Sequence, residues 1–451
     1  MKTVFISVFQ SFISRNILNT GVLDEILLDK TRVILFVPSV KKNFYESTYR
    51  SENVFVESFD VSNFGSMKEK FFGAVAELLI DTNVMKHRKI KRLNNSGNYF
   101  KYIYQTFFTK LLGKSIVIKK IFRFLDFKFN NPKSFDIFIK KYNPDVVFST
   151  DVFTNGDVMM MKSSLGNNIR TVGMVASWDN NTTKGLMRVI PDKLIVQNEI
   201  IKEESISIQS VPEKIIGIVG IAHYDYYKGH KPVSREEYFK RIGADPLKRI
   251  ILFSPAGDKF ISTDWQICEI LKTAYRENKI PKDTFILVRN HPANPTNLSK
   301  FNPDDNFLIE IPGVSFDGAG DKRNELDKTA LHHLLDTLYH CDLVINVVSS
   351  LVIDASIFDK PIITIGFDGW EDSVSFGNSV GRYLKDENMS KLLDISGTKV
   401  VKNAEELILW INKYLADSSV DKDGRERIVE RQCWKLDGGA KHRIAEIVLD
   451  K

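Results

Sequence analysis

Three cysteines in 451 residues, Cys268, Cys341 and Cys433, are too few, too far apart and odd in number for a disulfide framework. None falls in a CxxC or HxxxH spacing, so no structural zinc site is expected and the three read as buried reduced thiols. No run of about 18 uninterrupted apolar residues is present, which excludes a membrane-spanning helix. The opening MKTVFISVFQSFISRN is broken by Gln10 and Ser11 and has no small-residue cleavage site before Arg15, so it does not read as a signal peptide. These absences predict a cytoplasmic chain. Low-complexity tracts and short fixed repeats are missing too. So are a Walker A sequence and a GxGxxG turn after the first strand. The acids Asp258, Asp317, Asp321, Asp368 and Asp372 are scattered rather than paired as DxD after a strand. No metal and no cofactor is therefore expected.

What is present is a balanced globular composition, 43% hydrophobic and 27% charged, in a chain too long for one core. The net charge of +6 is unevenly placed. Between Lys86 and Lys128 lie Arg88, Lys89, Lys91, Arg92, Lys101, Lys110, Lys114, Lys119, Lys120 and Arg123, with Asp126 the only acid. Tyr99, Phe100, Tyr102, Tyr104, Phe107, Phe108, Phe122, Phe124 and Phe127 are interleaved. Such a stretch is either a solvated helical face with core aromatics or a surface for anionic membrane. The pairing of cations with aromatic and aliphatic groups favours membrane among the functional readings, and no nucleic-acid motif accompanies it.

Apolar runs at Thr3–Val8 and Arg32–Val37, with helical spacing between them, give β-α-β order, and Asn53–Val56 follows as a third strand. Strand signals resume at Asp145–Ser149, Arg170–Val175, Lys193–Val196 and Ile215–Val219. A polar stretch broken at Lys231-Pro232 then precedes a second series at Arg249–Ser254, Phe285–Val288, Leu343–Val347 and Pro361–Ile365. The expected organisation is an N-terminal Rossmann-like acceptor domain over 1–225 and a linker over 226–246. A C-terminal Rossmann-like donor domain over 247–415 and a helical tail over 416–451 follow. Two doubly wound α/β domains place their ligand-binding strand ends toward a cleft, and chemistry belongs in the loops just after strands.

The unusual residues fall in those loops. Arg289-Asn290-His291-Pro292 follows one strand and offers a guanidinium and an imidazole to phosphate oxygens, or else a capped helix-starting turn. Ser349-Ser350 follows the next strand and opens a helix, as a phosphate cradle or as a plain serine N-cap. Asp368 ends a third strand of the same series. In the first half, Ala176 to Gly185 follows a strand and contains Trp178, Asp179 and Lys184. Here Asp179 is either a general base or the builder of an Asx-type loop. Arg15 and Asn16 after the first strand, Gly220 and His223 after the seventh, and Ser254 and Gly257 at the start of the second series complete the candidates.

The RNHP run together with CDLVINVVSSLVIDASIFDKPIITIGFD resembles the C-terminal half of GT-B glycosyltransferases of bacterial surface polymers. It is most similar to the CDP-glycerol glycerophosphotransferases, and the bacterial sialyltransferases and capsule Kdo transferases share the His-Pro and paired-serine elements. The resemblance runs from about Arg249 to Asp368. It implies that His291, Ser349 and Ser350 hold the donor phosphate; Arg289, Ser254, Gly257 and Asp368 are expected beside it from their places in the loops after strands. The Trp178-Asp179 segment resembles the Trp-His-Gly-Thr-Pro motif of the glycerophosphotransferases but carries Asp179 in place of the histidine. Inverting sialyltransferases use an aspartate base, so the departure points away from glycerophosphate transfer.

The resulting expectation is a metal-independent, inverting glycosyltransferase. It would use a nucleotide-sugar donor and a saccharide or lipid-linked acceptor, with peripheral membrane contact through 86–128 and no nucleic acid. The alternatives are a CDP-alcohol transferase, a nucleotide-sugar epimerase and a non-catalytic GT-B binding subunit.

Overall fold

A computed structural model describes residues 1–60, 66–131, 133–292, 294–316, 324–347, 349–370 and 374–451. Val348, Asp317, Asp321 and Asp372 of the sequence reading lie outside them. The chain forms two compact units. The first comprises Met1–Asp225 and Gln432–Lys451, and the second comprises Tyr226–Ser315 and 324–431.

The first unit is built on seven strands: β1 (Thr3–Ser7), β2 (Arg32–Val37), β3 (Val54–Ser58), β4 (Val146–Ser149), β5 (Arg170–Met174), β6 (Lys193–Val196) and β7 (Ile216–Ile218). Their order is β3-β2-β1-β4-β5-β6-β7 and every pair is parallel. Strand order reverses between β1 and β4, where Val4, Phe5 and Ile6 pair with Val146, Val147 and Phe148. All six are buried, as a sheet covered on both faces requires. The chain returns at its end: helix Ala440–Leu449 packs Ala440, Ile444 and Val448 into the core beside Val22 and Ile26.

The second unit has six parallel strands, β8 (Arg249–Ser254), β9 (Thr284–Arg289), β10 (Phe307–Glu310), β13 (Leu343–Asn346), β14 (Ile362–Ile365) and β15 (Lys399–Val401). Their order is β10-β9-β8-β13-β14-β15. A separate two-stranded piece pairs β11 (Val314–Ser315) with β12 (Asn324–Glu325). Both large sheets are therefore doubly wound, with the second reversing between β8 and β13. The stretch 226–246 is not the free linker that its polarity suggested. Helix Arg235–Ile242 buries Tyr238 and Phe239, and the Tyr238 hydroxyl donates to Thr337 Oγ1 at 3.0 Å within the second unit.

The basic region forms the helices Asn83–Ser96, Tyr99–Leu112 and Ile116–Phe129. Its charges do not share one face. Lys89 turns inward to Thr109 Oγ1 at 2.6 Å, Lys119 to the Ile208 carbonyl at 2.6 Å, and Arg123 to the carbonyls of Met187 and Gln209. Burial lowers the Lys89 and Lys119 ammonium groups to about 8. The aromatics are not all core either: Phe122 is buried, while Tyr99, Phe100, Tyr104, Phe107, Phe124 and Phe127 are exposed, with the aliphatic Ile103, Leu111, Val117 and Ile121 beside them. Asp126, the lone acid, lies in the interior. Arg188 reaches it through Nε at 2.9 Å and Nη2 at 2.8 Å, and Lys162 Nζ lies 2.8 Å from it. Arg188 also binds Glu69 with both terminal nitrogens. No helix among the described residues is long and apolar enough to cross a membrane.

Candidate functional site

In doubly wound sheets ligands bind beyond the strand ends at the point where the order reverses. In the first unit that point collects hydroxyls and carboxyls. Ser7 ends β1 and Ser149 ends β4. The Ser7 hydroxyl accepts from the Thr150 amide at 2.9 Å and donates to Asp157, and Ser149 Oγ donates to Asp157 Oδ1 at 2.9 Å. Asp157 stands at the third position of helix Asn155–Gly166, whose N-cap Thr154 donates to it as well. Asp151 lies on the loop between, its Oδ1 taking the Phe153 amide at 3.1 Å. Both carboxyls are buried. Burial pushes Asp151 up to about 7, with Asp157 adding to the rise and Lys184 opposing it. Burial also raises Asp157, against the pull of its three hydroxyl donors.

Asp179, on the neighbouring loop after β5, is half-buried. Its two oxygens accept from Ser177 Oγ at 2.7 Å and Thr183 Oγ1 at 3.1 Å, and its carbonyl takes the Thr182 hydroxyl. It thus builds its loop, while its charge and that of exposed Lys184 both act on Asp151. Trp178 beside it is half-buried. The structure therefore gathers Asp179 and Lys184 with Asp151, a residue that the sequence reading passed over. The available signal was a strand ending in Ser149-Thr150-Asp151 before a Thr-x-x-Asp cap.

Because its folded carboxyl titrates near 7 and its unfolded one near 4, Asp151 holds its proton more tightly in the folded chain. Its contribution to stability is thus full at low pH and lost as pH rises through 7. Asp151→Asn carries no such penalty. It should gain on the wild type by about 4 kcal/mol at pH 8 and by little at pH 4. Thermal unfolding at both pH values checks this, and an equal difference at the two would contradict it.

Elsewhere in the first unit, Arg15 sits on helix Phe12–Asn16 with its Nε 2.9 Å from Asn16 Oδ1. His223 is buried, and desolvation, helped by the Arg15 charge, holds its imidazole well below the usual value, so the ring is neutral. Gly220 has φ +82°, and an added Cβ would lie 3.3 Å from the Lys435 carbonyl, so its role is to admit the returning tail.

In the second unit the reversal brings Ser254, at the end of β8, against the loop after β13: Val347 donates its amide to the Ser254 carbonyl at 3.2 Å. Gly257 has φ +90°, and a Cβ there would come within 1.9 Å of the Asn294 carbonyl. Asp264 Oδ2 holds the Gly257 amide at 2.9 Å and the Thr296 hydroxyl at 3.3 Å, tying the loop after β8 to the loop after β9. Burial raises Asp264 to about 7. His291 is exposed and its Nδ1 accepts from the Asn294 amide at 3.1 Å, which puts the proton of the neutral ring on Nε2. Ser349 Oγ accepts from the Leu351 amide at 3.2 Å, whereas Ser350, at the N-cap of helix Leu351–Ile357, makes no side-chain cap bond. Two candidates are otherwise engaged. Arg289 is buried on Glu310, which His333 also contacts at 2.7 Å, so its guanidinium is a structural ion pair rather than a phosphate ligand. Asp368 accepts from Ser379 Oγ and, at 2.7 Å, from the Val380 amide, and so closes a turn. Among the described residues no three His, Cys, Asp or Glu side chains are grouped to share a metal ion.

The model of the family described as CDP-Glycerol:Poly(glycerophosphate) glycerophosphotransferase matches residues 158–450. The chain belongs to that family. Every candidate residue of the glycerophosphotransferase-family chain except Arg15, Asn16 and the Asp151–Asp157 pair lies inside the matched span, and it is a transferase on a GT-B scaffold. No curated protein matches it. Among solved structures it is similar to a putative UDP-N-acetylglucosamine 2-epimerase from Listeria monocytogenes, at 12% identity and TM-score 0.54, over 100% of this chain and 96% of that one. It is also similar to UDP-GlcNAc 2-epimerase from Neisseria meningitidis bound to UDP-GlcNAc, at 10% identity and TM-score 0.54, over 100% of both chains. At such identities the likeness concerns the fold.

Proposed function

We propose that this family member is a metal-independent, inverting glycosyltransferase that moves a sugar from a nucleotide-activated donor to a hydroxyl of a saccharide or lipid-linked acceptor. The observation that carries the reading is the carboxylate Asp179 beside Asp151 and Lys184, on loops next to the reversal point of the first sheet. It stands where the resembled motif has histidine. Asp179 takes the proton of the acceptor hydroxyl, and that oxygen bonds to the anomeric carbon. The bond from that carbon to the donor phosphate breaks, and its electron pair leaves on the nucleotide diphosphate or monophosphate. His291 through Nε2, with Ser349, Ser350 and the Gly257 loop, meets the departing phosphate charge. The second unit thus takes the donor and the first the acceptor.

A second reading, glycerophosphate transfer from CDP-glycerol, is favoured by the family match over 158–450. A thermal-shift panel of CDP-glycerol against CMP-, UDP- and GDP-sugars, followed by a transfer assay, separates the two, because a ligand of the native state raises the melting temperature. Stabilisation and turnover with CDP-glycerol alone would reject the sugar reading. Consumption of a UDP-sugar to its epimer without acceptor would make the chain an epimerase.

The same proposal places the enzyme on anionic membrane through helices Tyr99–Leu112 and Ile116–Phe129. Phe100, Phe107 and Phe124 are exposed there alongside the exposed Lys101, Lys110, Lys114, Lys120 and Lys128. Each lysine near such a surface is worth about 1 kcal/mol and is screened by salt. Co-sedimentation with phosphatidylserine vesicles should fall as salt rises, and it should fall several-fold in Phe100→Asn/Phe107→Asn. Equal binding to neutral and anionic vesicles would contradict the electrostatic part.

A further inference from the structure

A cleft of about 460 Å³ opens in the second unit between the segment that follows Asp225 and helix Lys328–His340, which contributes His332 and Asp336. None of the donor candidates lines it. By area its walls are mainly apolar, and the polar groups set into them are cationic or neutral apart from one carboxylate. Lys231 and Arg241 stand at the rim, Tyr226 and two imidazoles line the interior, and Val233 is the one large apolar contributor. Asp336 is the one acid among these walls, and it is already taken up by Arg241 Nη2, His230 Nε2 at 2.9 Å and the Val233 amide at 3.3 Å. Burial alone would raise its carboxyl, but donation from Arg241 and His230 outweighs that and holds it below the ordinary value. It is therefore ionised, and its single charge is spent on Arg241. Tyr226 Oη and His332 Nε2 lie 2.7 Å apart with their rings stacked at 10°, and the His230 ring centroid is 5.4 Å from that of His332.

The ligand class follows from these walls. A cation would meet Lys231 and Arg241, and the one carboxylate that could hold it is spent. An apolar ligand would meet the apolar part of the lining but leave the Lys231 ammonium and the Tyr226–His332 pair unengaged. An anion would meet the Lys231 ammonium, an edge of the Arg241 guanidinium and the one proton that the Tyr226–His332 pair does not use in its own hydrogen bond. The volume falls in the range of small-ligand sites. We infer that this cleft is an anion site separate from the donor loops, and that it takes the phosphate group of a ligand, with Lys231, His332 and Tyr226 as its contacts. This goes beyond the transfer reaction and does not depend on which donor is used.

The phosphate has two possible sources, a free nucleotide or inorganic anion and a phosphodiester of a polymer. Calorimetry on the full chain with inorganic phosphate, CMP and a short glycerol-phosphate oligomer distinguishes them. Saturable binding to at least one probe is expected. It should weaken about ten-fold or more in Lys231→Glu, an exposed position where folding is safe, and similarly in His332→Gln. In Lys402→Glu, the same charge change at an exposed lysine that does not line the cleft, the binding should be unchanged. A response confined to the oligomer assigns the site to a polymer, and a response to phosphate and CMP assigns it to free anions. No saturable heat with any probe, or binding that survives both Lys231→Glu and His332→Gln, overturns the inference whatever the donor assay gives.

Discussion

Asp179→Asn is expected to leave nucleotide binding intact and to cut transfer by about 10²–10⁴-fold, the usual worth of a positioned general base. The amide has the size of the carboxylate, so the loop should survive. Ser177 and Thr183 now donate to the two carboxylate oxygens. Against an amide, one hydroxyl keeps donating to Oδ1 and the other rotates to accept from Nδ2, because a hydroxyl can do either. What is lost is the capacity to take a proton. The proposed donor contacts lie in the other unit, so calorimetry with the nucleotide should match the wild type while a transfer assay does not. The reverse pattern is expected of His291→Ala, which removes a donor to the departing phosphate and should weaken nucleotide binding and turnover together. If Asp179→Asn transfers at near the wild-type rate, Asp179 only builds its loop. The base is then to be sought at Asp151 before His223, because Asp151 adjoins the reversal point whereas the buried His223 ring packs on Tyr224 with centroids 4.2 Å apart.

The parallel sheets were legible because buried strands in such sheets are near-continuous apolar runs, and Thr3–Ser7 and Arg32–Val37 are of that kind. In the two large sheets, the strands that escaped are the two edges of the second. In Phe307–Glu310 only Phe307 is buried, and Lys399–Val401 is three residues long with only Val401 buried, so neither carries the pattern. The loops after strands were legible as places, but the partners of their side chains were not. Nothing in RNHP says that Arg289 will meet Glu310, 21 residues on and on the adjacent strand, instead of a ligand. The Asp151–Asp157 pair needed the register of β1 with β4, which brings Ser7 to a carboxyl 150 residues away. The inward turn of three cations in the basic region escaped for a related reason. Charge counting treats every lysine and arginine as solvated, whereas Lys89, Lys119 and Arg123 satisfy buried oxygens.

Asp126, notable in the sequence only as the one acid among those cations, underlies the largest stability effect expected. Arg188→Met should destabilise the chain by about 3–5 kcal/mol at pH 7, the usual consequence of stripping one partner from a buried ionic cluster. Glu69, Asp126, Lys162 and Arg188 are all buried and their charges cancel two against two. Asn130 Nδ2 adds a hydrogen bond of 2.9 Å to each carboxylate. Without the guanidinium, two buried carboxylates face Lys162 alone. The pH dependence gives the effect its signature. In the wild type, burial would raise both carboxyls, but the hydrogen bonds and charge of Arg188 hold them below their ordinary values. The unfolded chain then takes up protons first as pH drops. The cluster's contribution is therefore present above pH about 4 and is lost as pH falls through the lower folded values. In Arg188→Met the balance reverses: burial dominates, a carboxyl of the folded chain takes up its proton first, and protonation relieves the unpaired charge. The stability gap between variant and wild type should therefore be widest near neutrality and narrow toward pH 5. Urea unfolding midpoints of both proteins at pH 7 and pH 5 test this, and a gap that is constant or wider at pH 5 would mean that packing lost with the side chain, not charge, sets the cost.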